Sequence, residues 1–166
     1  MARKKLVPDP TPRTPNPADV STIDGLVKAL YESLSFSISA QPDYNRLRTL
    51  FHPQGQILPP RTDKEKKAEV VELEFYIRQS VESIVFGGLE QKGFVMSEVS
   101  RRVQSYGSMG QVFSTFEARH TPNDPNPLHR GIYSLQLLRE NQRWWILFLT
   151  WDIEKPNSPI PRPYLV

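Results

Sequence analysis

The stretch Arg130–Asp152, RGIYSLQLLRENQRWWILFLTWD, decides the fold. It reads as two long strands joined by a short polar turn. In the second strand, Trp144, Ile146, Phe148, Thr150 and Asp152 alternate onto one face. Trp145, Leu147, Leu149 and Trp151 take the other. Both sets are large and apolar until the first turns polar at Thr150. A strand of this kind belongs to a sheet covered on both sides. Helices can cover one face of a curved sheet. An apolar patch the size of the second set is more than monomers usually expose. Each such side chain gains ~1.5–3 kcal/mol on burial. The expectation is a homodimer through an outer face carrying Trp145, Leu147, Leu149 and Trp151, with the terminal tails as the alternative cover.

The residues before the hairpin supply the helical layer. Ser21-Thr22-Ile23-Asp24 resembles a capping box, and Ile23, Leu26, Val27, Leu30, Leu34 and Ile38 recur at helical spacing. They predict a first helix over 22–39, ended by Pro42. Asp43 can cap a short second helix carrying Leu47, Leu50 and Phe51, stopped by Pro53 and Gly55. Gln56 to Leu58 reads as a short strand. RTDKEKKAE is a charge-rich linker or helix entrance. Val70, Leu73, Ile77, Val81 and Ile84 mark a third helix, closed by Gly87-Gly88. From residue 92 the period falls to two, giving strands over 94–105, 109–120, 128–139 and 143–154, with TPNDPNP as a loop. Helices grouped before a meander indicate α+β rather than alternating α/β. Short connections make the sheet mostly antiparallel.

Composition sets the outer limits. The 166 residues fit one domain, expected over 21–154. A proline-rich arm (1–20, disordered or loosely docked) and a proline-rich tail (155–166) flank it. Four basic and two acidic residues in the arm account for +2 of the formal charge of +3. The nearly neutral body lacks the basic stripe of a nucleic-acid-binding face. The absence of cysteine excludes disulfides, thiol catalysis and cysteine-ligated metals. Prolines interrupt the N-terminal region where a signal peptide needs an apolar run. No stretch approaches the ~20 apolar residues of a membrane span. The expectation is a soluble, cytoplasmic protein.

Several stretches, in order, resemble nuclear transport factor 2-like proteins. LRTLFHPQGQIL is similar to their short second helix and first strand. SRRVQSYGSMGQVFSTFEARH resembles their second and third strands, with the glycine turn between them. RGIYSLQLLRENQRWWILFLTWD resembles their closing hairpin, and IPRPYL the tail of one bacterial branch of uncharacterised members. The resemblance covers about residues 20–154. It implies a cystatin-like cone: three N-terminal helices in the concave face of a strongly bent, mostly antiparallel sheet, with a pocket at the open end. Ketosteroid isomerases and polyketide cyclases share that fold, as do non-enzymatic association modules. The fold alone therefore does not settle function.

Candidate chemistry follows from what can point inward. Glu98, mid-strand among apolar residues, is a base if it faces the cone and an ion-pair partner if it faces out. His52, at FHP, stands near the expected pocket rim or packs on Pro53. Tyr31 and Tyr76 lie on helices and offer phenolic donors or simple packing. Arg130 can pair with Glu117 across strands or clamp a substrate carboxylate. Thr150 and Asp152, where one face of the hairpin turns polar, are further rim candidates. His120 and His129 flank the loop and are expected to be exposed. Three histidines without repeated spacing give no metal site. No motif implies a cofactor. The steroid isomerase's tyrosine with two aspartates is not found, nor is the dehydratase's histidine pair. The expected function is binding of a small apolar ligand, with cofactor-free acid–base catalysis as its extension. The alternative is a dimeric interaction module whose cone is filled by its own aromatics.

Overall fold

A computed structural model of the chain describes residues 14–61 and 67–166. Its elements run α1 (Pro17–Val20), α2 (Ile23–Leu34), α3 (Tyr44–Leu50), β1 (Phe51–Leu58), β2 (Val71–Glu72), α4 (Leu73–Phe86), β3 (Val95–Tyr106), β4 (Met109–Arg119), β5 (His129–Glu140) and β6 (Arg143–Ile153). The strands form a six-stranded sheet in the order β2-β1-β6-β5-β4-β3. Its pairs are antiparallel except β1 with β6. The α+β expectation holds, with the helices on the concave side of a mostly antiparallel sheet.

Local chemistry sets most boundaries. The Thr22 side chain accepts from Gly25 N at 3.0 Å and Asp43 from Arg46 N at 2.9 Å, capping α2 and α3. The β5–β6 turn places Asn141 and Gln142 at positive φ (51° and 62°), matching the twist of the flanking strands. Three expectations need correction. The first helix stops at Leu34, because Ser35 is extended and Phe36 exchanges backbone hydrogen bonds with Phe94 at 2.7 and 2.9 Å. Ile38, expected on that helix, is left exposed. The third helix begins at Leu73, because Val71 and Glu72 pair with β1. Pro53 and Gly55 do not end a helix. They sit in a bulge of β1, between the pairs Phe51–Ile146 and Gln56–Phe148.

The arm is also shorter than its composition suggests. Residues 17–20 are helical and docked, with Val20 buried. The buried Asp19 receives two hydrogen bonds of 2.8 Å from Arg46. Residues 1–13 and most of the charged 61–69 segment lie outside the described residues.

The largest correction concerns the hairpin. Gln136 pairs with Phe148, yet Leu137 pairs with Ile146, so Leu147 is an extra residue in β6. Such a bulge reverses the alternation beyond it. Trp144 and Ile146 face the helices before the bulge, and Leu149 and Trp151 face them after it. The pairings carry this across the sheet. Leu149 sits beside Ile57 and Leu135, all three buried, and Trp151 beside Tyr133. Phe148, expected to line the cone, and Thr150 and Asp152, expected at its rim, are on the convex side. Of the four residues expected on the outer face, Leu149 is 3% exposed and Trp151 points inward.

The C-terminal tail covers another part of the convex face. Thr115 Oγ1 donates to Tyr164 O at 2.6 Å, and the Tyr164 ring lies 5.8 Å from that of Phe113. Arg102 Nη2 donates to the carbonyls of Pro163 and Val166. The tail turns back at a clasp. Arg130 donates to both carboxylate oxygens of Glu154 (2.8 and 3.2 Å), and Ile160 N donates to Glu154 Oε1 at 2.9 Å. Among the described residues, no helix is long and apolar enough to cross a membrane.

Candidate functional site

A cavity of about 380 Å³ opens between α4 and the concave face. This is within the usual size range of small-molecule sites. A continuous series of rings walls it. The Tyr76 ring meets Trp151 at 5.9 Å, and Trp151 meets Tyr133 at 5.6 Å. Tyr133 meets Phe116 at 4.7 Å, and the His129 ring lies 6.1 Å from both Phe116 and Phe94. Phe36 closes the series, 6.2 Å from Phe94. Each strand contributes by parity: His129, Gly131 and Tyr133 share one face of β5, and Trp151 joins them only because of the bulge. Gly131 is required by close approach. A Cβ there would sit 2.6 Å from Phe116 Cζ and 2.4 Å from Asp152 O. Its missing side chain lets the Phe116 ring lie across β5.

Polar groups on the wall are few. α4 supplies Gln79, Ser80 and Ser83, with Ser80 Oγ 3.1 Å from Tyr44 OH. The Tyr133 hydroxyl points to Met96 Sδ at 3.7 Å. Burial pushes the Tyr76 phenol up to about 12 and Tyr133 well above the ordinary phenol range, so both remain donors at neutral pH. Burial lowers the pKa of His129, favouring its neutral form. Among the described residues no carboxylate, lysine or arginine lines the cavity. Among the described residues no cluster of His, Asp and Glu can hold a metal ion.

The candidates read from sequence separate into different places. Tyr76 lines the cavity. Glu98 and Tyr31 do not. Glu98 lies on the concave face of β3, but its carboxylate is taken up by Arg101 and by a short hydrogen bond from Ser114 Oγ. Tyr31 OH lies 2.7 Å from the same buried Ser114 hydroxyl. Burial, the largest influence, raises the Tyr31 pKa. This satisfied network joins α2 to the sheet behind Tyr133, whose ring lies 5.9 Å from that of Tyr31. A second bulge, at Val99 between the pairs Glu98–Phe116 and Ser100–Thr115, puts Glu98 and Arg101 on one side.

His52 is at the turn end of the hairpin, its ring 5.5 Å from Trp145 and Nε2 3.6 Å from Glu140. It is away from the cavity. Arg130 holds Glu154 in the tail clasp, while the expected partner Glu117 binds Arg119 at 2.8 Å. Thr150 donates to Leu58 O at 2.9 Å. With Asp152 it lines a separate groove of about 670 Å³ on the convex side. His129, expected to be exposed, is instead part of the cavity wall. Its parity with Tyr133 and Leu135 is the signal that would have placed it.

No family model and no curated protein matches the sequence. The fold has clear counterparts among solved structures. A cystatin-like protein of unknown function from Nostoc punctiforme superposes with TM-score 0.53 at 11% identity, covering 69% of this chain and 78% of that one. A nuclear transport factor 2-like protein of unknown function from Silicibacter pomeroyi gives 0.51 at 14% identity, covering 80% and 92%.

The chain has the nuclear transport factor 2-like fold.

A proposed ketosteroid isomerase from Parabacteroides distasonis shares the nuclear transport factor 2-like architecture at TM-score 0.53 and 13% identity, covering 81% of this chain and 89% of that one. At such identities the likeness extends to the fold alone. Among the described residues the cavity wall is aromatic and free of carboxylates.

Proposed function

We propose that the protein binds a small, flat, largely apolar molecule between α4 and the aromatic wall. The observation that carries this reading is the open 380 Å³ cavity faced by Trp151, Tyr133, Phe116 and His129. Rings favour flat ligands through offset and edge contacts worth about 0.5–1.5 kcal/mol each beyond area burial. Phenol, hydroxyl and imidazole groups give such a ligand orientation. The open volume supports a ligand over a cone filled by its own side chains. A thermal-shift screen of neutral bicyclic aromatics tests it, because a ligand that binds only the native state raises the melting temperature. Stabilisation that is lost in a cavity-blocking Ser83→Phe variant is expected. A panel with no stabilising member counts against the reading.

Acid–base catalysis, if the ligand is also a substrate, falls to His129 rather than Glu98. His129 is the cavity's imidazole, and burial keeps it in the base form. The lack of a lining carboxylate among the described residues speaks against the residue pattern of steroid isomerisation. Exchange of the methyl protons of 2-acetylnaphthalene in D₂O, followed by NMR, tests this extension. It is expected to be faster with the wild type than with His129→Gln, and equal rates would remove the extension.

We also propose pairing of two copies through the convex face of β5 and β6. Ile132, Leu138, Trp145 and Phe148 remain part-exposed there, and Leu147 is exposed. This keeps Trp145 and Leu147 of the set the alternation suggested and replaces Leu149 and Trp151 with Ile132, Leu138 and Phe148. Sedimentation at micromolar concentration should show a dimer, and a monomer would end the proposal.

A further inference from the structure

We propose that the ligand is an aromatic weak acid, whose anionic group pairs with His129 as that residue takes up a proton. This rests on the binding reading above and names the chemical class it admits. Charge on the wall limits the choice. With no Asp or Glu among the described residues that line the cavity, a cationic ligand has no partner there. With no Lys or Arg among those described residues, a permanent, multiply charged anion has none either. His129 is the group there that can gain one positive charge near neutral pH.

Its surroundings make that charge depend on the ligand. Phe116 faces it from β4 with the rings at 88°, and Phe94 faces it from the segment leading into β3 with the rings at 35°. From α4 the wall supplies the neutral Gln79, Ser80, Ser83 and Ile84. Tyr76 and Tyr133 are the other titratable groups among the described residues of the cavity wall, and burial keeps both protonated. Neighbouring Arg130 is engaged with Glu154 in the tail clasp, and His120 Nδ1 lies 3.0 Å from Gly93 O. In the empty cavity, desolvation lowers the imidazole's pKa. An anion beside it favours the charged form and raises that pKa. Binding then takes up a proton. Affinity is highest below the free-state pKa and falls as pH rises through the bound-state pKa.

Calorimetric titration of the full chain between pH 5.5 and 8.5 tests this with three probes of one shape: 2-naphthoate, neutral 2-naphthamide and 2-naphthylmethylammonium. The expected result is at least tenfold tighter binding of 2-naphthoate at pH 5.5 than at 8.5. 2-Naphthamide should be insensitive to pH, and the cation should bind most weakly. His129→Gln should abolish the pH dependence for naphthoate. Naphthoate binding that is absent, or independent of pH, while naphthamide still binds overturns the acid preference and leaves the cavity reading standing. Failure of all three probes counts against both.

Discussion

Tyr133 and Trp151 are cross-strand partners on the concave face, their ring centroids 5.6 Å apart and their planes at 61°. The extra residue Leu147 creates this partnership by moving Trp151 to the same side as Tyr133. One inserted position thus converts a side chain of the apparent outer face into a wall of the cavity.

Substitutions at adjacent positions should therefore behave oppositely. Trp151→Ala removes a large ring from the cavity wall and should cost roughly 2–4 kcal/mol, the lower end reflecting partial exposure. Asp152→Ala, on the convex side, should stay within about 0.5 kcal/mol. Urea denaturation of the two variants checks this. Equal costs would contradict the register.

Deleting Leu147 should be far worse than replacing it. Deletion removes the bulge and forces either the first or the second half of β6 to present its apolar set to the wrong side. The expected outcome is loss of soluble, cooperatively unfolding protein. Leu147→Ser keeps the extra residue and should retain a two-state transition and the native far-ultraviolet circular dichroism spectrum.

Ser114→Ala tests whether Glu98 and Tyr31 serve packing rather than ligand chemistry. The buried Ser114 hydroxyl meets both groups, and its loss leaves them short of a partner at a cost of about 1–3 kcal/mol. Denaturation should show that cost, while 2-naphthamide affinity should change less than threefold. A larger loss of affinity would return Glu98 and Tyr31 to the site.

The tail clasp should open in acid. Hydrogen bonds from Arg130, the largest influence, and from Ile160 N hold the Glu154 carboxyl below its ordinary value. A depressed folded-state pKa contributes stability that is present above the unfolded value, about 4.3, and lost as pH falls through the folded one. Protection of the Ile160 amide from hydrogen exchange should therefore hold at pH 6 and decline below about pH 4. In Arg130→Ala it should be weak at both. Protection unchanged by that substitution would count against the clasp.

Much of the fold was legible because polar residues marked parity. In β5 the apolar Tyr133, Leu135 and Leu137 alternate with Ser134 and Gln136, and the strand ends fell within a residue or so of those observed. From Trp144 to Leu149 every residue is apolar. Either alternation then fits, and a bulge leaves no local trace. Phe36 was read as part of a helix because its partner Phe94 is distant in sequence, and no local pattern reports that bridge. Tyr76 was found by its place on α4. His129 was missed because a neighbouring proline-rich loop suggested exposure, although its strand parity pointed inward. Glu98 did face inward, but its satisfaction by Arg101 and Ser114 depends on a second bulge hidden in the same way.

The most direct test of the account is an NMR titration of the full chain with 2-naphthamide, following the indole N–H resonances of Trp151 and Trp145. The account predicts saturable shifts at Trp151, accompanied by Tyr133 and His129, with Trp145 unmoved. Shifts at Trp145 in place of Trp151, or no shift at any of these residues, would contradict it.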